Sequence, residues 1–162
     1  MEYRIGGDKT MGFVFSIAFI CLLMVLLMNS KAGAQGAYEP SGLNSTFSFS
    51  KDTPFSDYLA ATRKMIEKAR VDLTEENKAW VVDANMPFEL APSKGPVTNG
   101  ILLIHGLGDS PYQMQGLARH LAGQGFLVRT ILLPGHGTVP ADLMEVTWES
   151  WMAAAEYGLN GL

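Results

Sequence analysis

The stretch NGILLIHGLGDSPYQMQGL, residues 99–117, decides the fold. Gly100-Ile-Leu-Leu-Ile104 is a continuous apolar run bounded by turn residues, the pattern of a strand buried on both faces of a parallel sheet. It runs straight into His105-Gly106-Leu107-Gly108. From Pro111 onward, Met114, Leu117, Ala118 and Leu121 recur at helical spacing, and Gly123 and Gly125 end that helix. FLVRTILL (126–133) reads as a second strand. The loop PGHGTVPADL follows, and a last helix begins near Thr147 with Trp148, Trp151, Ala155, Leu159 and Leu162 on one face. Strand, helix, strand, loop, helix is a βαβα order, which predicts an α/β fold with a mostly parallel sheet.

A strand ending in His-Gly-x-Gly exposes backbone N–H groups where the chain turns outward. Glycine lets that backbone approach a ligand and adopt conformations a Cβ forbids. N–H groups held this way can bind a developing negative oxygen, as in an oxyanion hole. An ordinary tight turn or a phosphate cradle is the alternative. The dinucleotide fingerprint GxGxxG is not met, because position 111 is Pro, and Leu133-Pro134 stands where an acidic residue would end the second strand.

Two motifs together carry a family resemblance: His-Gly-Leu-Gly after an apolar strand, and Leu133-Pro134-Gly135-His136-Gly137 after the next, about 30 residues on. From about Met86 to Leu162 the chain resembles the first third of an α/β-hydrolase core. The subgroup is that of bacterial carboxylesterases, monoacylglycerol-lipase-like enzymes and serine aminopeptidase-like domains. The resemblance implies a serine hydrolase acting on carboxylic esters, lipid esters among them and amides less favoured, with no metal or cofactor. It implies that the Leu107 backbone N–H is one oxyanion donor, supported by His105, Gly106 and Gly108. His105 would brace the turn through hydrogen bonds instead of shuttling protons. His136 would shape its loop near the site mouth, a role that a plain polar loop residue would equally explain.

The family's nucleophile sits in Gly-x-Ser-x-Gly, and its triad runs Ser, Asp or Glu, then His. No serine of the chain lies in that frame, and His105, His120 and His136 all precede the expected position. The resemblance therefore implies a domain truncated before the nucleophile, inactive by itself, with no catalytic triad residue in this chain. A non-catalytic anchored fragment or binding module is the alternative. Ser110, in Gly108-Asp109-Ser110, is a rival nucleophile by likeness to Gly-Asp-Ser hydrolases, but His-Gly intervenes and a later Asp-x-x-His is missing. An N-cap before Pro111 explains it more simply.

Upstream, MGFVFSIAFICLLMVLLM (11–28) is an uncharged block of 18 residues. At about 1.5 Å per residue it nearly crosses a hydrocarbon core of about 30 Å. Its length favours a signal anchor, while Ala32-Gly33-Ala34 favours a cleaved signal. Arg4 and Lys9 before it, with Lys31 after, weakly place the remainder outside the cytoplasm, anchored or exported. Residues 1–34 thus form the anchor or signal, and the Gly-, Ser- and Asn-rich 35–52 a linker. Asn44-Ser45-Thr46 within it is formally a glycosylation sequon. Residues 53–75 read as an amphipathic helix packed on the domain, N-capped by Thr53 with Pro54 next. Its stripe is Phe55, Tyr58, Leu59, Met65, Ile66 and Ala69, broken at Thr62. AWVVDANMPFEL (79–90) has the aromatic and β-branched character of one or two short strands around an Asp-Ala-Asn turn, and 76–162 is the partial hydrolase domain.

Net charge is −4, and residues 35–162 carry about −5, so no basic patch invites nucleic acid. Cys21, the only cysteine, excludes a disulfide framework and a thiolate metal site. The partners implied are a small-molecule ester and, through 11–28, a membrane.

Overall fold

The computed structural model describes residues 36, 38–44, 47–93 and 95–162. The apolar block at 11–28 and the Ala32-Gly33-Ala34 motif lie outside the described residues. Among those described, no helix is long and apolar enough to cross a membrane.

Three strands form the sheet. The apolar run Gly100–Ile104 (β2) pairs in parallel with Leu127–Ile131 (β3), with Ile101 opposite Val128 and Ile104 opposite Ile131. The short Glu89–Leu90 (β1) pairs antiparallel on the other side of β3, so the sheet is mixed and β3 is central. Alternation along β3 sends Val128 to one face and Ile131 to the other. The helix Gln115–Gly123 (α3) covers the first face with Ala118 and Ala122. The helix Trp148–Leu159 (α4) covers the second with Ala154 and Tyr157. Helices on both faces of a sheet with a parallel pair make this a mixed helix–strand arrangement of the α/β kind.

The helix Phe55–Ala69 (α1) buries Tyr58, Thr62, Ile66 and Ala69 along one side. The polar break at Thr62 is thus inside the packed stripe. Burying the Tyr58 hydroxyl would be costly if it were unpaired. It accepts from the Leu132 N–H at 2.9 Å and donates to the Leu132 carbonyl at 3.3 Å. Burial holds this phenol well above its ordinary pKa. Around it Phe47, Phe49, Phe55 and Tyr157 pack ring to ring, with centroids 5.0–6.1 Å apart.

Arg129 is the buried charge of the sheet. Its guanidinium meets the Glu89 carboxylate at 2.7 Å, donates to the carbonyls of Gly158 and Asn160, and lies 4.6 Å from the Phe55 ring centre. A buried ion is tolerable only with such a full set of partners. One side chain thereby ties β3 to β1, α1 and the end of α4.

Four local expectations differ from the structure. Residues 79–85 are not a strand: Lys78–Asn85 is a helix (α2) that buries Val81 and Val82, and only Glu89–Leu90 of the expected strands pairs. The face that α4 packs is Trp151, Ala154, Tyr157 and Gly158, whereas Trp148 and Leu159 are exposed. The helix after the HGLG turn opens with a 3-10 turn, Pro111–Met114, and the Ser110 side chain caps nothing there. Thr53 likewise does not cap α1 with its side chain; its carbonyl accepts from the Tyr157 hydroxyl at 3.1 Å. The last helix does begin beside Thr147, whose side chain accepts from the Ser150 N–H.

Candidate active site

Where β2 ends, the chain drops His105 into the interior, 3% exposed. The Leu133 N–H can only donate, so His105 Nε2, 3.1 Å away, accepts and the ring proton sits on Nδ1. Nδ1–H donates to the Gly106 carbonyl at 2.9 Å. That carbonyl also accepts from the Asp109 N–H at 3.1 Å, closing the turn 106–109. Burial pushes the pKa of His105 below its ordinary value, and neighbouring His136 adds to that. The neutral ring has both nitrogens occupied and none left for proton transfer.

The turn held in this way leaves Leu107 65% exposed, and its N–H makes no hydrogen bond among the described residues. The glycines do not act as the motif suggested. Neither Gly106 nor Gly108 has a positive φ. A Cβ at Gly106 would lie 3.1 Å from the Asp109 carboxylate, and one at Gly108 would meet nothing within 4 Å. Close approach to Asp109 at Gly106 and open backbone at Gly108, not a left-handed conformation, are what these two positions provide.

The second motif does use left-handed backbone. Gly135 and Gly137 have φ of 84° and 75°. A Cβ at Gly135 would stand 2.8 Å from Val146 Cγ2 and 3.1 Å from the Leu143 backbone. Flanked by these bends, His136 turns inward and is 6% exposed. Its Nε2 is 2.9 Å from the Leu107 carbonyl and its Nδ1 is 3.2 Å from that of Pro134. Pro134 O already receives the Trp151 indole N–H at 2.9 Å. The shorter contact therefore assigns the His136 proton to Nε2, donating to Leu107. The two histidines meet edge to face, with ring centres 4.7 Å apart.

Sequence reasoning missed the segment that fastens this loop. Residues 41–44, in the stretch read as a linker, lie across 135–142. The Asn44 carbonyl accepts from the Gly135 N–H at 3.2 Å, and Asn44 Nδ2 donates to the His136 carbonyl at 2.8 Å. The Ser41 N–H and hydroxyl both reach the buried Asp142 carboxylate at 2.6 Å. Phe47 and Phe49 continue the contact into the aromatic core. The sequon gave the one local hint that Asn44 was unusual, but its amide nitrogen is buried and in use.

A cavity of about 390 Å³ opens beside the Leu107 turn. Leu107, Asp109 and His136 line one side, and Arg70 and Asp72, from the chain just after α1, another. Arg70 grips Asp72 through two hydrogen bonds of 2.8 and 2.6 Å, which hold that carboxyl below its ordinary pKa. Ser110 does not line the cavity; its hydroxyl donates to the Ala84 carbonyl at 2.8 Å, fastening the turn to the end of α2. No hydrogen bond joins Ser110 to either buried histidine. His120 is exposed on α3. Among the described residues no group of three His, Cys, Asp or Glu side chains converges to hold a metal ion.

Chemically, the arrangement can present to a small cavity an N–H at a braced turn that has no partner among the described residues. It brings no nucleophile and base together. Comparison with known proteins finds no matching family model and no matching solved structure. Part of the chain is similar to a thermostable monoacylglycerol lipase of Bacillus sp. (strain H-257), 40% identical over 68 residues. The similarity takes in 42% of this chain, which spans about a quarter (26%) of the relative's length.

Proposed function

We propose that this chain is the N-terminal portion of a serine hydrolase that cleaves carboxylic esters, lipid esters included, through an acyl-enzyme. The observation that carries the reading is the Leu107 N–H, without a partner among the described residues, at the end of a parallel strand in a turn braced by His105. In this role Leu107 supplies one of the two donors for the tetrahedral oxyanion, and serine, acid and base come from sequence beyond residue 162. Partial similarity to a monoacylglycerol lipase supports the ester substrate. The apolar block at 11–28 anchors or exports the domain, leaving it outside the cytoplasm.

The test has two parts. The intact reading frame is expected to continue past codon 162 into Gly-x-Ser-x-Gly and a later acid and histidine. Its product should then hydrolyse p-nitrophenyl butyrate and monoacylglycerol. Leu107→Pro, which deletes the N–H, should lower kcat by roughly 10²–10³ with KM little changed. The 162-residue chain should neither hydrolyse these esters nor take up a serine-directed fluorophosphonate. Labelling that disappears in Ser110→Ala would move the nucleophile to Ser110 and overturn the assignment. The absence of Gly-x-Ser-x-Gly from all 162 residues favours one other reading, a non-catalytic anchored module, and a genuine stop at codon 163 would select it.

A further inference from the structure

We propose that Asn44 and His136 are positioning residues for the Leu107 turn, which makes the 41–44 strap part of the site's machinery. The inference rests on the reading of that turn as an oxyanion site. Two hydrogen bonds form the relay. Asn44 Nδ2 donates to the His136 carbonyl at 2.8 Å, and His136 Nε2 donates to the Leu107 carbonyl at 2.9 Å.

The geometry gives each bond a separate task. The turn 106–109 is closed from inside by Asp109 N–H and His105, both of which act on the Gly106 carbonyl. Nothing in that set fixes the next peptide plane. The Leu107 carbonyl belongs to the Leu107–Gly108 peptide, and with Gly at position 108 that plane can turn about the Leu107 ψ and Gly108 φ. His136 is the group that holds it. The His136 ring is itself aimed by a backbone bent at two left-handed glycines, and Asn44 clasps that backbone from both sides, through Gly135 N–H and His136 O. Ser41 on Asp142 fastens the same strap at a point with no bond to His136 or Leu107. Two anchors on one strap therefore have different connections to the site, and the proposal can be separated from plain stabilisation.

The experiment uses the full 162-residue chain in detergent, with histidine labelled in the ring nitrogens. The three histidines give a simple spectrum. His136 Nε2 is expected to show a protonated, hydrogen-bonded signal; an unprotonated Nε2 would overturn the relay at once. Hydrogen exchange by mass spectrometry then reads the segment 106–109 in variants. Asn44→Ala and His136→Ala should speed its exchange by about tenfold, the scale of a lost hydrogen bond. His136→Gln, whose amide keeps a donor near the Nε2 position, should restore most of the protection. Ser41→Ala should lower the melting temperature as much as Asn44→Ala yet leave the His136 ring signal and the 106–109 exchange unchanged. Equal effects of Ser41→Ala and Asn44→Ala on the ring signal and the 106–109 exchange would mean that the strap only stabilises the fold, and the proposal fails. None of these readouts depends on hydrolysis. An intact protein that cleaves no ester while they hold would defeat the oxyanion reading and leave the relay standing.

Discussion

Protonating His105 would break a backbone contact, because its Nε2 lone pair is the acceptor for the Leu133 N–H. Burial already lowers its pKa in the folded state from the ordinary 6.5. The unfolded chain therefore takes up the proton first as pH falls, and stability rises with pH through this window. His105's contribution should be complete above about pH 6.5 and decline below it, by at most about 1.4 kcal/mol per pH unit, levelling off below the depressed folded pKa. Urea midpoints from pH 7.5 to 5 check this, and the slope should shrink in His105→Asn. A wild-type midpoint unchanged over that range would show that the ring is not held neutral. His105 and His136 could be singled out as candidates because each stands in a motif beside glycine. Asn44, Ser41 and Asp142 could not, since their partners lie 92 to 101 residues away and such pairing leaves no periodic trace.

On the scale of elements, the α4 contact shows why a helical wheel chose the wrong face. Large side chains suggested the stripe Trp148, Trp151, Ala155, Leu159, but the sheet is met by small residues. A Cβ at Gly158 would fall 2.8 Å from both Ile131 Cγ2 and Leu102 Cδ1. Ala154 is fully buried nearby. Close approach needs Gly and Ala at the crossing, so the bulky residues are displaced to its margins. Gly158→Ala would gain up to about 1 kcal/mol of helix propensity yet is expected to lose about 1–3 kcal/mol from overpacking, for a net lower melting temperature. A raised melting temperature would mean that Leu102 yields freely. The α2 misreading has a different cause. AWVVDAN carries strand-like composition, a weak prior, whereas Thr74 and Asn77 exchange side-chain bonds of 2.7 and 3.2 Å just before the helix. That reciprocal pair acts like a capping box, and it was the legible signal in Thr74-Glu75-Glu76-Asn77. The parallel strand β2, by contrast, was plain from its continuous apolar run.

For the domain as a whole, β2 is the exposed flank. It pairs with β3 on one side and, among the described residues, with nothing on the other. Ile104 is 44% exposed, and Trp148, Met152 and Leu159 lie open along α4, which packs on β2 and β3. An unpaired strand beside an apolar helix stripe invites association. Residues 36–162 made alone should self-associate or melt without a sharp transition, as light scattering and calorimetry would report. A monomer with a cooperative melt would count against this.

The strap has a consequence for the timing of folding. Its bonds join positions about a hundred residues apart, and closing so long a loop is entropically costly and slow. Residues 41–44 leave the ribosome early, yet they cannot settle until 135–142 exist and have bent around Gly135 and Gly137. Their contacts therefore belong after the rate-limiting step. Ser41→Ala should hasten unfolding and leave the folding rate nearly untouched, which pulse proteolysis at high dilution can measure. The turn at Leu107, though built from a contiguous motif, would then acquire its final shape only when an early-made segment has met one made about a hundred residues later.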